Sequence, residues 1–403
     1  MKNKVLMMFY ALVIGSIIGL IVFAFLKIMN LGIELLWNII PSNINIPFYT
    51  IIVCALGGVI IGFWTKFSKV KLDDLEEVVS KVKNGEKFSY DNLGKLSVSA
   101  ILPLIFGGSI GPEAGLSLII VSLCSWASDK FKHAFKEIKE LTQIGIGATL
   151  GTIFNSPLFG FTVPIESEGE VVIPKKEKVV LYFLSIFGAF GIMILLNSLV
   201  GGRGGLIHFS GFEINAFEWL WFLPLIVIGI VAGILYSVFN KVSKEMAKVL
   251  KKYIILSCLI AGLILGIIGS ILPFAMFSGE KEMEDVMMTF GQIGFFGLLI
   301  TGVLKLFVTN TCISLGLKGG HFFPAIFSGI CIGYALSLLI NINPVFCVCI
   351  VTTSLMAFIM KRPVSVIMLL MICFPAKALP VMLLASVIGS IVKLPKSFDK
   401  VLN

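Results

Sequence analysis

The sequence predicts an all-α polytopic membrane protein built from two repeats, with broken and re-entrant helices among its full-length spans. Three observations lead there. The 403 residues are 57% hydrophobic and 14% charged, with a mean hydropathy of +1.02, whereas soluble domains carry about 25% charged residues. Apolar stretches recur along the whole length, and several reach the ~20 residues that cross a bilayer core. One short string also occurs twice: Gly107-Gly108-Ser109-Ile110-Gly111-Pro112 returns as Gly319-Gly320-His321-Phe322-Phe323-Pro324.

The first apolar stretch, 5–26, is long for a signal-peptide core and shows no small-residue cleavage site. It is therefore read as a retained span. Further spans are expected at 47–64, 179–200, 217–239, 253–276 and 286–308. The runs 96–107 and 364–374 are too short to cross alone, and their Gly and Pro flanks suggest re-entrant helices lining a cavity. One stretch, 70–84, is amphipathic. Leu72, Leu75, Val78, Val79 and Val82 share a helical face, with Asp73, Asp74, Glu76 and Glu77 largely opposite, as on a solvated surface helix.

The net charge is +9, and the basic residues gather at 2–4, 66–87, 130–139, 175–178, 241–252 and 393–400. These blocks follow the positive-inside rule. None is interleaved with stacking aromatics, so nucleic acid is not an expected partner. The uncharged loop 38–47 is then external and the N-terminus cytoplasmic, in a chain embedded in lipid at the cell membrane. The eight cysteines lie mostly in apolar runs and read as small buried hydrophobes. Cys347 and Cys349 lack partner ligands, so neither a metal nor a cofactor is expected. His-Glu-x-x-His is absent, and the three histidines pair with no serine at a recognisable spacing. No catalytic residue is assigned, and an enzyme is not expected.

Each copy of the repeated string follows one apolar segment and opens another. Glycines ahead of a proline suit a backbone that stops being helical and then restarts. Pro112 is expected to start a helix with the amides of Ile110 and Gly111 free. Pro324 is expected to do the same for His321, Phe322 and Phe323. Unpaired N–H groups at a helix start bind anions without a full charge, and weak binding suits permeation. The candidate anion-binding residues are therefore Gly108, Ser109, Ile110 and Gly111 with Gly320, His321, Phe322 and Phe323.

A second pair of prolines repeats the pattern. Pro157, in Phe154-Asn155-Ser156-Pro157-Leu158-Phe159-Gly160, lies 45 residues beyond Pro112, and Pro363, after Arg362, lies 39 beyond Pro324. The offsets between halves, 212 and 206, are nearly constant, as in transporters built from structural repeats. The expected units are a first membrane repeat at 1–200, an inter-repeat loop at 201–214 and a second repeat at 215–403.

These stretches resemble those of the CLC family of chloride channels and chloride/proton antiporters. Residues 108–112 are similar to the family's Gly-(Arg/Lys)-Glu-Gly-Pro motif, and 319–324 to its Gly-Gly-Ile-Phe-Ala-Pro motif. The segment 154–160, followed by Ile165-Glu166, resembles Phe-Asn-Ala-Pro-Leu-Ala-Gly…Glu-Glu. The resemblance implies a CLC-like fold of two inverted repeats and a homodimer with one anion pathway per subunit. It also implies transport of chloride or a similar small anion. The departures are specific. The gating glutamate aligns with Ile110, and the Arg/Lys before it with Ser109. The inner proton glutamate aligns with Ser167, beside a retained Glu166, and the pore tyrosine falls near Phe374 or Pro375. The early Gly-Ser-Gly-Ile-Pro motif is matched best by Ser68 and its neighbours.

Coupled exchange needs a titratable group that alternates between anion site and water, and neither Ile110 nor Ser167 supplies one. Passive, channel-like anion conduction is the expected mechanism. The alternative is a proton-coupled antiporter using Glu113 or Glu168 in place of the missing acids. Gate candidates are Ile110, Glu113 and Phe374; proton-pathway candidates are Ser167, Glu166 and Glu168. Glu113 has two readings, a dipole-stabilised helix start or a displaced gate. They are distinguished by where its carboxylate lies relative to the amides of Ile110 and Phe322: within hydrogen-bond reach of the same cavity it is a gate, and facing away it is a cap.

Overall fold

The computed structural model describes residues 2–44, 46–130, 138–167, 170–171, 176–200, 207–213 and 216–393. The chain is helical almost throughout. Helix α1, Lys2–Glu34, passes through a π-helical turn into α2, Ile40–Asn43. Then come α3 (Tyr49–Ser68), α4 (Leu75–Lys83), α5 (Leu93–Ile105), α6 (Glu113–Lys130), α7 (Ile138–Ile153) and α8 (Pro157–Thr162). Two-residue strands β1 (Glu166–Ser167) and β2 (Glu170–Val171) pair before α9, Lys176–Val200. The second half holds α10 (Ala216–Leu250), α11 (Ile254–Ile271), α12 (Glu282–Leu315), α13 (Phe322–Ile340), α14 (Pro344–Met360), α15 (Pro363–Leu370) and α16 (Leu379–Ile391).

Among the described residues, seven helical stretches are long and apolar enough to cross a membrane, including parts of α1, α3, α9, α10, α11, α12 and α13. Six of them bury only 33–44% of their most apolar window, which leaves the remainder for lipid or a second subunit; α13 buries 83% and is enclosed by protein. Helices α12 and α14 flank it, and α14 is in turn packed by α10 and α16. The short segments expected to re-enter are α5 and α15, of 13 and 8 residues.

Small residues permit the closest helix contacts. On α3 and α11, a side chain at Gly58 would strike the Cys258 carbonyl, and one at Gly262 would strike that of Cys54. In lipid, where apolar side chains gain little by leaving the solvent, such close backbone approach is what holds two helices together.

The amphipathic stretch 70–84 is helical only over α4, whose Leu75, Val78, Val79 and Val82 are buried. Its acids do not all face solvent. Asp73 and Glu77 accept bonds from Lys81 at 2.7 and 2.9 Å, which pushes the Lys81 ammonium up to about 12. All eight cysteines are free and buried.

Candidate functional site

The two copies of the repeated string meet. Gly111 and Gly320 exchange a pair of backbone hydrogen bonds, each 2.8 Å, in an isolated antiparallel bridge. The turn into the first copy is left-handed at Gly107, φ 81°, a conformation glycine adopts without strain. Helix α6 starts at Glu113, directly after Pro112. Helix α13 starts at Phe322, so Pro324 is its third residue and not its first as the sequence suggested.

This contact corrects which amides are free. The Ile110 N–H donates to the Gly108 carbonyl at 2.8 Å, and the Gly111 N–H is spent on Gly320. The first copy therefore contributes a scaffold at these two positions, not open donors. The open donors are on the second copy, and they already hold an anion belonging to the chain. The Phe322 N–H donates to Glu113 Oε1 at 2.8 Å. Glu113 is fully buried, and its Oε2 has no partner among the described residues. The carboxylate lies on the glycine bridge, where a side chain on Gly111 or Gly320 would overlap it. Both glycines are thus required by the space the carboxylate occupies.

Around this contact the remaining motif residues close in. Ser109 Oγ and Thr309 Oγ1 of α12 are 3.1 Å apart. Ile110, wholly buried, packs against Gly319 of the second copy. Phe154 stacks on Phe323 at 4.4 Å between ring centroids and meets Phe159 edge-on at 5.2 Å, while Phe322 lies 6.1 Å from Phe154. Each such pair adds about 0.5–1.5 kcal/mol beyond its area. The cluster seals the flank of the Glu113 contact and brings the segment 154–160 to it.

His321 occupies the residue before α13 without a side-chain capping bond, its ring 4.9 Å from Phe322 and 5.7 Å from Tyr236. Its Nε2 is buried without a partner among the described residues. The ring borders a cavity of about 590 Å³ whose wall includes Asp74, Glu76, Lys244, Lys318 and Lys361. A smaller gap of about 10 Å³ lies between Glu76, Phe322 and Arg362, room for about one water. The charged cavity thus reaches to within one side chain of the Phe322 amide.

Other expected site residues lie elsewhere. Glu166 is buried and accepts bonds from the Val364 and Ser365 amides at 3.0 and 2.6 Å and from Ser365 Oγ at 2.6 Å. It caps α15. Ser167 pairs with Glu170 in the short strand turn, and Glu168 lies outside the described residues, as does His133. Ser68 ends α3, its hydroxyl 3.5 Å from the Val70 amide. At the cavity wall stand Asp74 and Glu76, from the start of α4, and not Ser68. Phe374 stacks on Phe209, which meets Tyr334 edge-on at 6.3 Å. Tyr334 is twelve residues along α13 from Phe322, ~18 Å of helix, so this ring packs toward the far end of α13.

The sequence reading passed over Tyr236, Thr309 and Lys305. Thr309 and Tyr236 carry no local signal, since each reaches the site from a distant helix. Lys305 did carry one, being a lone cation inside the apolar run 286–308.

Comparison with known proteins places these features in a family. A family profile described as voltage gated chloride channel matches residues 53–394. The curated putative ion-transport protein YfeO of Salmonella choleraesuis is 26% identical over 166 residues, and that of Salmonella typhimurium 25%. Each alignment covers 39% of this chain and 38% of the relative, so the chain matches well under half of those proteins' length. Two solved structures share the fold with a TM-score of 0.78. One, a CLC-type fluoride/proton antiporter, is 18% identical, with 96% of this chain and 95% of that one covered. The other, a slow cyanobacterial Cl⁻/H⁺ antiporter, is 19% identical, with 95% and 93% covered.

Proposed function

The chain belongs to the voltage gated chloride channel family, and from that premise we propose that it moves chloride or a similar small anion across the membrane by passive conduction, with Glu113 as the gate. The observation that carries this reading is the Glu113 carboxylate bound to the Phe322 amide. A buried backbone N–H that donates to a carboxylate donates to an inorganic anion by the same chemistry. The gate closes when the carboxylate occupies the amide and opens when an anion replaces it or a proton neutralises it. Ile110 cannot do this, because it carries no charge and is wedged against Gly319.

On this reading His321, Phe322 and Phe323 form the transit point, and the lysine-bearing cavity is its inner mouth. The positive-inside rule applied to the basic blocks supports a cytoplasmic side for that mouth and for the N-terminus. The protein works as a homodimer in the cell membrane, with repeats at 1–200 and 215–403. On that division the hydrogen-bonded glycines Gly111 and Gly320 join one repeat to the other.

A second reading, proton-coupled exchange, is favoured by the same carboxyl. A buried carboxylate that must leave its donors does so more readily with a proton bound, and a proton that travels with each anion cycle would couple the two. Purified protein in liposomes separates the readings. Under a chloride gradient with potassium and valinomycin, conduction predicts chloride efflux without proton movement. Protons driven uphill by chloride would replace conduction with exchange. No protein-dependent flux of chloride or fluoride would remove transport altogether.

A further inference from the structure

Lys305 is wholly buried inside the long apolar helix α12. Its Nζ donates to the carbonyls of Phe274, Met276 and Phe277 at 2.9, 2.7 and 3.2 Å and lies 4.6 Å over the Phe327 ring. Three donated bonds need three protons, so the side chain is an ammonium. All three acceptors are neutral carbonyls. Among the described residues no carboxylate forms an ion pair with it, and the Glu282 charge acts on it only from farther off; the ammonium is solvated chiefly by carbonyls, an expensive arrangement at membrane depth.

Its placement ties it to the first copy of the repeated string by two routes. Phe277, which takes one of the ammonium bonds, donates its own N–H to the Gly107 carbonyl at 3.0 Å. One turn further along α12, Thr309 contacts the Ser109 hydroxyl at 3.1 Å. Another residue on, Asn310 reaches the wall of the cavity that His321 borders. The string itself brings no cation, since Ser109 is neutral. Helix α12 therefore sets a positive charge, without an ion-pair partner among the described residues, behind the turn on which the Glu113 contact is built.

We propose that Lys305 is the fixed positive charge that draws anions to the Phe322 site and, through Phe277, the positioning residue of the Gly107 turn. This rests on reading that site as an anion pathway. A charge buried in low dielectric is felt over several ångströms with little screening by salt. The neutral Lys305→Met chain keeps the apolar stem and loses that field.

The test is chloride and fluoride binding to the full chain in detergent by isothermal titration calorimetry, beside flux in liposomes. Lys305→Met is expected to bind roughly tenfold more weakly, and Lys305→Arg close to the unaltered chain. Adding Ser109→Lys to Lys305→Met returns a cation to the turn and is expected to recover most of the loss. A folded Lys305→Met with unchanged affinity overturns the proposal. So does a loss that Ser109→Lys cannot recover, which leaves Lys305 as loop packing alone. Should Lys305→Met fail to fold, Ser109→Lys in the otherwise unaltered chain is expected to tighten binding, and unchanged affinity there overturns the proposal too. An unaltered chain that binds chloride without transporting it defeats the transport reading and leaves Lys305 standing; one that binds neither anion defeats both.

Discussion

A carboxylate held by main-chain amides leaves only when something else satisfies those amides or when a proton removes its charge. For Glu113 this fixes the sign of a pH effect. The deprotonated side chain competes with a passing anion, so flux through the unaltered chain is expected to rise as the pH falls. In Glu113→Gln the competitor is neutral at every pH. Its flux is expected to be high at neutral pH and flat across a pH series in liposomes, and a Glu113→Gln chain that still responds to pH as before would move the gate elsewhere. The glycines beneath the carboxylate give a second test. Gly320→Ala puts a methyl group where Glu113 lies, an overpacking that costs about 1–3 kcal/mol. Thermal unfolding in detergent is expected to fall accordingly. Glu113→Ala in the same chain should return part of the loss, because the two residues share one space.

At the scale of elements, the site is assembled from helix ends that other segments hold in place. Glu166 shows how. Its carboxylate takes three donors at the start of α15, and the Ser156 hydroxyl of the matching segment in the first half donates to the Met368 carbonyl at 2.8 Å. Glu166→Ala leaves buried donors unpaired, at about 1–3 kcal/mol. A lowered unfolding midpoint, with the Glu113 pH response retained, would separate this structural acid from the gate. Helix α12 does a comparable job through Thr309 and Lys305. The helix pair α3–α11 depends instead on small residues. Replacing Gly262 by Leu forces the backbones apart, and reduced yield of folded protein in detergent is the expected outcome.

For the whole molecule, the surface is as informative as the core. Large apolar side chains such as Leu220, Leu199 and Phe296 are 71%, 72% and 73% exposed. Water does not tolerate such a surface over most of a chain, whereas lipid or a second subunit does. Light scattering of the purified protein with its detergent accounted for is expected to give the mass of a dimer, twice 43.9 kDa. A monomer that still conducts would confine the whole pathway to one chain.

Composition and periodicity were enough to establish an all-helical membrane chain, because roughly twenty apolar residues have one stable use in a bilayer. The paired Gly-Gly and Pro signals locate the helix restarts to within a turn, and their order resembles that of the family. What neither could decide was which amides stay open. The Gly111 N–H looks free in sequence and is consumed by Gly320, 209 residues away. The Phe322 N–H looks free and is held by Glu113 across the same distance. Likewise nothing local to Glu166 tells that it caps α15, and nothing local to Lys305 tells that three carbonyls surround it. Local sequence determines where a helix begins, since that depends on neighbours along the chain. Only the tertiary structure decides what a helix start binds, because its donors are satisfied by whichever distant group the packing delivers.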